Sequence, residues 1–216
     1  MISKNFRFRF YTSLALFSLL YLFFNYKIVL LYFLIIFGVL SILEFLNLTK
    51  KIFIRKTKFL LLNLIFLIFI FTFCLIFFFL SESLGSKILL YITLLGCIAS
   101  DIGGFIFGKI FKGPKLTRIS PNKTFSGAIG SLFLTIISTS FIFLFFLQSF
   151  SKEVVIYSII TSVFCQIGDL LFSYLKRKAK QKDTGSIFPG HGGILDRFDG
   201  IFLGLPAGLI TIMLIF

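Results

Sequence analysis

Long, nearly unbroken apolar runs recur from one end of the chain to the other, and few structures are open to such runs. A membrane-crossing helix needs about 20 mostly apolar residues, because inside a bilayer the backbone must satisfy its own hydrogen bonds. Seven runs qualify: residues 10–24, 28–48, 59–80, 88–107, 125–147, 154–175 and 201–216. The first is short, and only Asn25, Tyr26 and Lys27 separate it from the second, which predicts a tight hairpin. Of the 216 residues, 58% are hydrophobic, 34 are Phe and none is Trp; mean hydropathy is +1.05. A soluble domain of this size has no interior for so much apolar surface. The expectation is an all-α, polytopic membrane bundle of about seven helices. Residues 1–87 carry the first three spans, and residues 88–216 form a region with polar loops.

The net charge of +14 would suggest nucleic acid in a soluble protein. Here all basic residues except Lys27, Lys87 and Lys152 fall in the N-terminal segment or in alternate loops of the seven-span arrangement. The positive-inside bias makes that side cytoplasmic, with the N-terminus inside and the C-terminus outside. Topology thus accounts for the charge, and no nucleic-acid partner is expected. The basic head and apolar run at the start mimic a signal peptide, but no A-x-A cleavage site follows, so an uncleaved first helix is expected. Cys74, Cys97 and Cys165 lie inside apolar runs without metal or redox spacing and read as structural.

The acidic residues are few and unevenly placed. All five aspartates, Asp101, Asp169, Asp183, Asp196 and Asp199, lie in the second half. Asp101 and Asp169 interrupt apolar runs, where a carboxylate costs about 2.5–3.5 kcal/mol on insertion scales and marks a partner or a task. Asp169, Ser173, Lys176 and Arg177 share one helical face. Beyond them, Lys182, Asp183, Thr184 and Gly185 lead to Pro189, Gly190, His191, Gly192 and Gly193. A glycine-rich stretch of this kind brings backbone N–H groups to an anion, and the helix start that follows favours phosphate. Asp196 and Asp199, i and i+3, face one way, and they could serve the helix dipole or a cation. Oxygen ligands suited to Mg²⁺ stand beside cations suited to phosphate. Together they read as metal-assisted chemistry on a phosphate-bearing substrate at the cytosolic membrane face. His191, the only histidine, fits phosphate contact or turn shaping as readily as proton transfer.

A second polar cluster, Arg118, Ser120, Pro121, Asn122, Lys123 and Thr124, precedes the fifth run; Thr124 reads as an N-cap and the cations as phosphate contacts. Gly200, Gly204 and Gly208, and Gly104 and Gly108, are spaced for close helix packing.

The run SYLKRKAKQKDTGSIFPGHGGILDRFD, residues 173–199, resembles the signature of phosphatidate cytidylyltransferases, or CDP-diacylglycerol synthases. Its fixed positions are Ser-x-apolar-Lys-Arg, Lys-Asp, His-Gly-Gly and Asp-Arg-x-Asp, and all are filled. ASDIGGFIFGK (residues 99–109) and ISPNKTFSG (residues 119–127) resemble two further family segments, and Leu43, Glu44 and Phe45 echo a Glu-aromatic pair of an early helix. Ser126 stands where many members carry Glu or Gln. Members generally have more N-terminal helices, so a reduced N-terminal region is expected. The resemblance implies CTP and phosphatidate as substrates, CDP-diacylglycerol and pyrophosphate as products, and Mg²⁺, with a second metal allowed. It implies Asp169, Asp196 and Asp199 as metal ligands and Asp169, Lys176, Asp196 and Asp199 as the catalytic set. Ser120, Lys123, Ser173, Arg177, Lys182, Asp183, His191, Arg197 and Asp101 are the expected substrate contacts. Further expectations are a cell (inner) membrane location if bacterial, a site open to the cytoplasm, and a possible homodimer. The alternatives are a related CTP-using enzyme acting on an isoprenoid lipid, and a transporter, since intramembrane Asp also marks ion pathways.

Overall fold

The computed structural model describes residue 18 and residues 21–117, 119–121, 123–148, 151–185 and 192–215. Their helices are α1 (Lys27–Ile52), α2 (Lys56–Leu80), α3 (Leu84–Phe111), α4 (Phe125–Leu147), α5 (Lys152–Lys178), the single turn α6 (Leu195–Phe198) and α7 (Ile201–Ile215). Six helical stretches are long and apolar enough to cross a membrane, α6 and α7 counting together as Leu195–Ile215. The all-α membrane bundle is therefore as expected. Most of the first apolar run lies outside the described residues. Its end, residues 21–25, is helical; Tyr26 is extended, and Phe23 turns back so that its ring lies 4.4 Å from Phe33.

The helices extend a few residues beyond the apolar runs, into Lys50 and Lys51 of α1 and Lys176, Arg177 and Lys178 of α5. Cations in a last turn complement the exposed carbonyls there. Outward-facing side chains such as Ile35, Leu61 and Phe141 are more than half exposed, as a lipid-facing surface requires, since every backbone group is already paired inside its helix.

Two kinds of contact hold the interior. Phe202 of α7 is fully buried, with the rings of Phe37, Phe66, Phe69, Phe73, Phe172 and Phe198 centred 5.5–6.4 Å away. Tilted and edge-on aromatic pairs at such spacings are favourable beyond their area. This ring cluster ties α1, α2 and α5 to α7. The α3–α4 and α5–α7 seams use small residues instead. A Cβ on Gly103 would stand 2.5 Å from the Gly130 carbonyl, so α3 and α4 touch backbone to backbone. Hydroxyls also bond between helices: Ser131 of α4 donates to the Ser100 carbonyl of α3 at 2.8 Å, while α3 and α5 are joined by Ser100 and Ser162, 3.0 Å apart, and by Tyr157, which donates to Thr93 at 3.0 Å. Lipid tails supply no hydrophobic drive between helices, so close contact and such bonds must.

Candidate active site

Four segments meet at one end of this packing. Asp101 comes from the second half of α3, which stops at Lys112 and Gly113, both at positive φ. The connection to α4 folds back on itself: Leu116 N–H donates to the Lys123 carbonyl at 2.7 Å and Phe125 N–H to the Pro114 carbonyl at 3.1 Å. The Lys123 amide donates to the Ser120 carbonyl at 3.1 Å. Thr124 caps α4 by accepting from Gly127 N–H, as its position in the sequence implies. These bonds fix Lys123, whose ammonium lies 2.6 Å from an Asp169 oxygen. Ser126 donates to the Lys112 carbonyl and so serves the turn.

Asp169 follows Gly168 on α5. A Cβ on Gly168 would lie 2.5 Å from the Asp199 carbonyl, so only glycine lets the α6–α7 junction rest on α5. That contact brings Asp199 to Asp169. Gly200, next to Asp199, leaves a gap: a Cβ there would stand 3.0 Å from one Asp169 oxygen and 3.5 Å from one Asp101 oxygen. Asp101, Asp169, Ser173, Asp199 and Lys123 line one cavity of about 360 Å³. Its far wall is Gly104, Gly127, Ala128 and Phe105, and the Phe105 ring is 69% exposed on the outer face.

Lys176 sits at the junction of two groups. Its ammonium is 2.7 Å from Asp196 and 3.6 Å from Asp199, and its side chain is only 12% exposed. The expected shared face of Asp169, Ser173, Lys176 and Arg177 therefore divides. Asp169 and Ser173 point into the cavity, Lys176 turns to α6, and Arg177 joins Tyr174, Lys178, Lys182 and Pro121 around a separate, open groove of about 770 Å³. Arg197 and Asp183 lie at or near the surface. His191 lies outside the described residues, as does Arg118.

Among the described residues, the amides of Thr184, Gly193, Ile194 and Leu195 in the stretch expected to cradle a phosphate have other partners. One oxygen of Asp196 accepts from Thr184 N–H at 2.7 Å and Gly193 N–H at 3.0 Å, with the Thr184 hydroxyl also 3.0 Å away, while the other takes Lys176. Ile194 N–H and Leu195 N–H donate to Glu44 at 2.9 and 3.0 Å. The start of α6 does attract anions, as its dipole predicts, but they are two carboxylates of the chain itself. Sequence reasoning passed over Glu44 as a functional residue and missed Thr184 and Gln166, which lines the cavity and donates to the Ala128 carbonyl at 3.2 Å. Glu44 carried a signal: it is the sole acidic residue within the first three apolar runs.

Three carboxylates and two ammonium groups thus converge, and ion pairs engage Asp169 and Asp199. Among the described residues, no three His, Cys, Asp or Glu side chains form a ready-made metal shell. The donors around Gly200 are carboxylate oxygens, the type that Mg²⁺ takes, with room between Asp169 and Asp101 that a Cβ would fill. The set of Asp101, Asp169 and Asp199 fits such a cation in chemistry. Asp196 fits it less well, because donors already occupy both its oxygens.

The sequence model of a family described as the cytidylyltransferase family matches residues 1–215. Curated relatives agree. A protein of Staphylococcus haemolyticus named phosphatidate cytidylyltransferase is 42% identical over 143 residues, covering 64% of this chain and 53% of its own. Proteins of the same name from Rickettsia felis and Helicobacter pylori are 44% identical over 125 residues and 40% over 107. These matches cover 53% and 50% of this chain and 55% and 40% of the relatives. The chain thus spans about half the length of the curated relatives it matches.

Proposed function

The chain belongs to the cytidylyltransferase family, and we propose that it transfers the cytidylyl group of CTP to phosphatidate, giving CDP-diacylglycerol and pyrophosphate. The observation that carries this reading is the convergence of Asp101, Asp169 and Asp199 with Lys123 and Lys176 beside one cavity. The phosphatidate phosphate is already an anionic nucleophile, so little proton transfer is needed. One of its oxygens bonds to the α-phosphorus of CTP, and the bond from that phosphorus to the bridging oxygen breaks, releasing pyrophosphate. The barrier is mutual repulsion and alignment, which placed cations lower.

Lys123 and Lys176 neutralise phosphate oxygens as the two anions approach. Asp101, Asp169 and Asp199 would hold Mg²⁺, which would supply charge screening for phosphate oxygens. Asp196 acts instead as the clamp of the preceding loop, on the strength of the donors at both its oxygens. CTP reaches the cavity along the groove of Tyr174, Arg177 and Lys182, whose cations suit a triphosphate. Phosphatidate enters from the side of Phe105, where apolar surface adjoins the polar cavity. The groove and cavity face the cytoplasm, in line with the basic loops on that side.

Transfer of label from [α-³²P]CTP into lipid by detergent-purified protein tests the reading. Wild type should label phosphatidate only with Mg²⁺, and Asp199→Asn should not label it at all. Absence of labelling by folded wild type, or normal labelling by the variant, would refute the reaction or the role of Asp199 respectively.

A further inference from the structure

Glu44 is 4% exposed in the interior of α1, far in sequence from every cavity residue. Its partners are all uncharged: Ile194 N–H at 2.9 Å, Leu195 N–H at 3.0 Å and the Thr184 hydroxyl at 2.8 Å. That hydroxyl also lies 3.0 Å from Asp196, so it stands between two carboxylates. The loop is cut to fit. A Cβ on Gly185 would fall 2.7 Å from one Glu44 oxygen, and a Cβ on Gly193 would collide with both. A buried carboxylate is tolerated only when donors satisfy it, and these donors come from the segment that leads into Asp196 and Asp199. Phe45 beside it stacks on Phe66 with ring centroids 3.7 Å apart, so the anchor stands on packed helices.

We infer that Glu44 is a positioning residue: it grips the backbone N–H groups of Ile194 and Leu195 and thereby sets where Asp196, Lys176 and Asp199 stand. It touches neither the cavity nor the reacting groups. Through it the N-terminal helices become part of the site, although the acids and bases that line the site come from α3 onward. The inference rests on the cytidylyl-transfer reading for its catalytic consequence, but not for the anchor itself.

Glu44→Gln keeps the shape and replaces one acceptor oxygen with a donor, which leaves one of the two amides facing an N–H. Hydrogen exchange of the 216-residue chain in detergent, read over residues 193–198, should accelerate about tenfold or more. In parallel kinetics, kcat should fall about 30- to 100-fold while KM for CTP stays within about threefold, as displaced reacting groups predict. Thr184→Val, which removes only the shared hydroxyl, should give a smaller change of the same kind and carries the test if Glu44→Gln does not fold. Glu82→Gln, which breaks the exposed pair with Lys27, should change neither readout. Unchanged exchange would overturn the anchor. Faster exchange with unaltered kcat would overturn positioning. A folded wild type that turns over no phosphatidate would refute the proposed reaction instead, and exchange alone would then decide the anchor.

Discussion

The Lys123 ammonium lies 2.6 Å from an Asp169 oxygen, joining the loop before α4 to the middle of the polar face of α5. Both side chains are roughly one-quarter exposed, so the pair is neither a surface ornament nor a sealed ion pair. An ammonium held this way is within reach of a phosphate that enters the cavity, and its bond to Asp169 keeps it aimed there.

Lys123→Met should therefore lower turnover about 100-fold or more, on the scale seen when one preorganised charge donor is removed. Size-exclusion behaviour should remain that of wild type. Steady-state labelling with CTP and phosphatidate checks it, and a loss below about threefold would contradict the role.

Asp196→Asn should act on stability as well as on rate. The amide keeps one acceptor but turns a donor toward Lys176 or toward Thr184 and Gly193. A cost of about 1–3 kcal/mol is expected for leaving one such group unsatisfied. Thermal unfolding in detergent should show a lowered Tm for Asp196→Asn and little change for Asp199→Asn, which loses one hydrogen-bond acceptor and a longer ion-pair contact.

Gly200→Ala should raise the Mg²⁺ needed for half-maximal turnover by about tenfold, since the methyl occupies the space between the oxygens of Asp169 and Asp101. A Mg²⁺ titration of activity reads this directly. Unchanged metal dependence would move the cation elsewhere.

Arg177→Ala with Lys182→Ala should raise KM for CTP about tenfold with kcat within about twofold, because these cations line the groove and not the cavity. The wild-type KM should also rise with salt more steeply than that of the double variant, as exposed charges are screened.

Gly103→Ala tests the packing on which the site stands. Its Cβ would meet the Gly130 carbonyl at 2.5 Å, so α3 and α4 must separate. Overpacking of this kind costs about 1–3 kcal/mol. A drop in Tm with a parallel loss of turnover is expected, since Asp101 lies two residues away on α3.

Hydropathy runs alone marked the six long helices of the described residues to within a few residues, and the second polar cluster was correctly read as ending in an N-cap at Thr124. These are local properties: a lipid-solvated backbone must close its own hydrogen bonds, and a cap bonds within three residues. Asp101 and Asp169 were likewise named from sequence, because charges in apolar runs are too costly to be incidental.

The sequence by itself determined the helices, the rarity of the acids and the kinds of group that meet. Their division of labour was decided by tertiary contact alone. Asp196 and Asp199 are three residues apart and look equivalent, yet the first is enclosed by Thr184 and Gly193 and the second opens on the cavity. Phosphate was expected at the start of α6, but Glu44, about 150 residues earlier, supplies the anion. A helix N-terminus specifies only that a negative charge is welcome. Which charge arrives depends on the bare glycines at 185 and 193 and on the packed phenylalanines that set α1 against the loop.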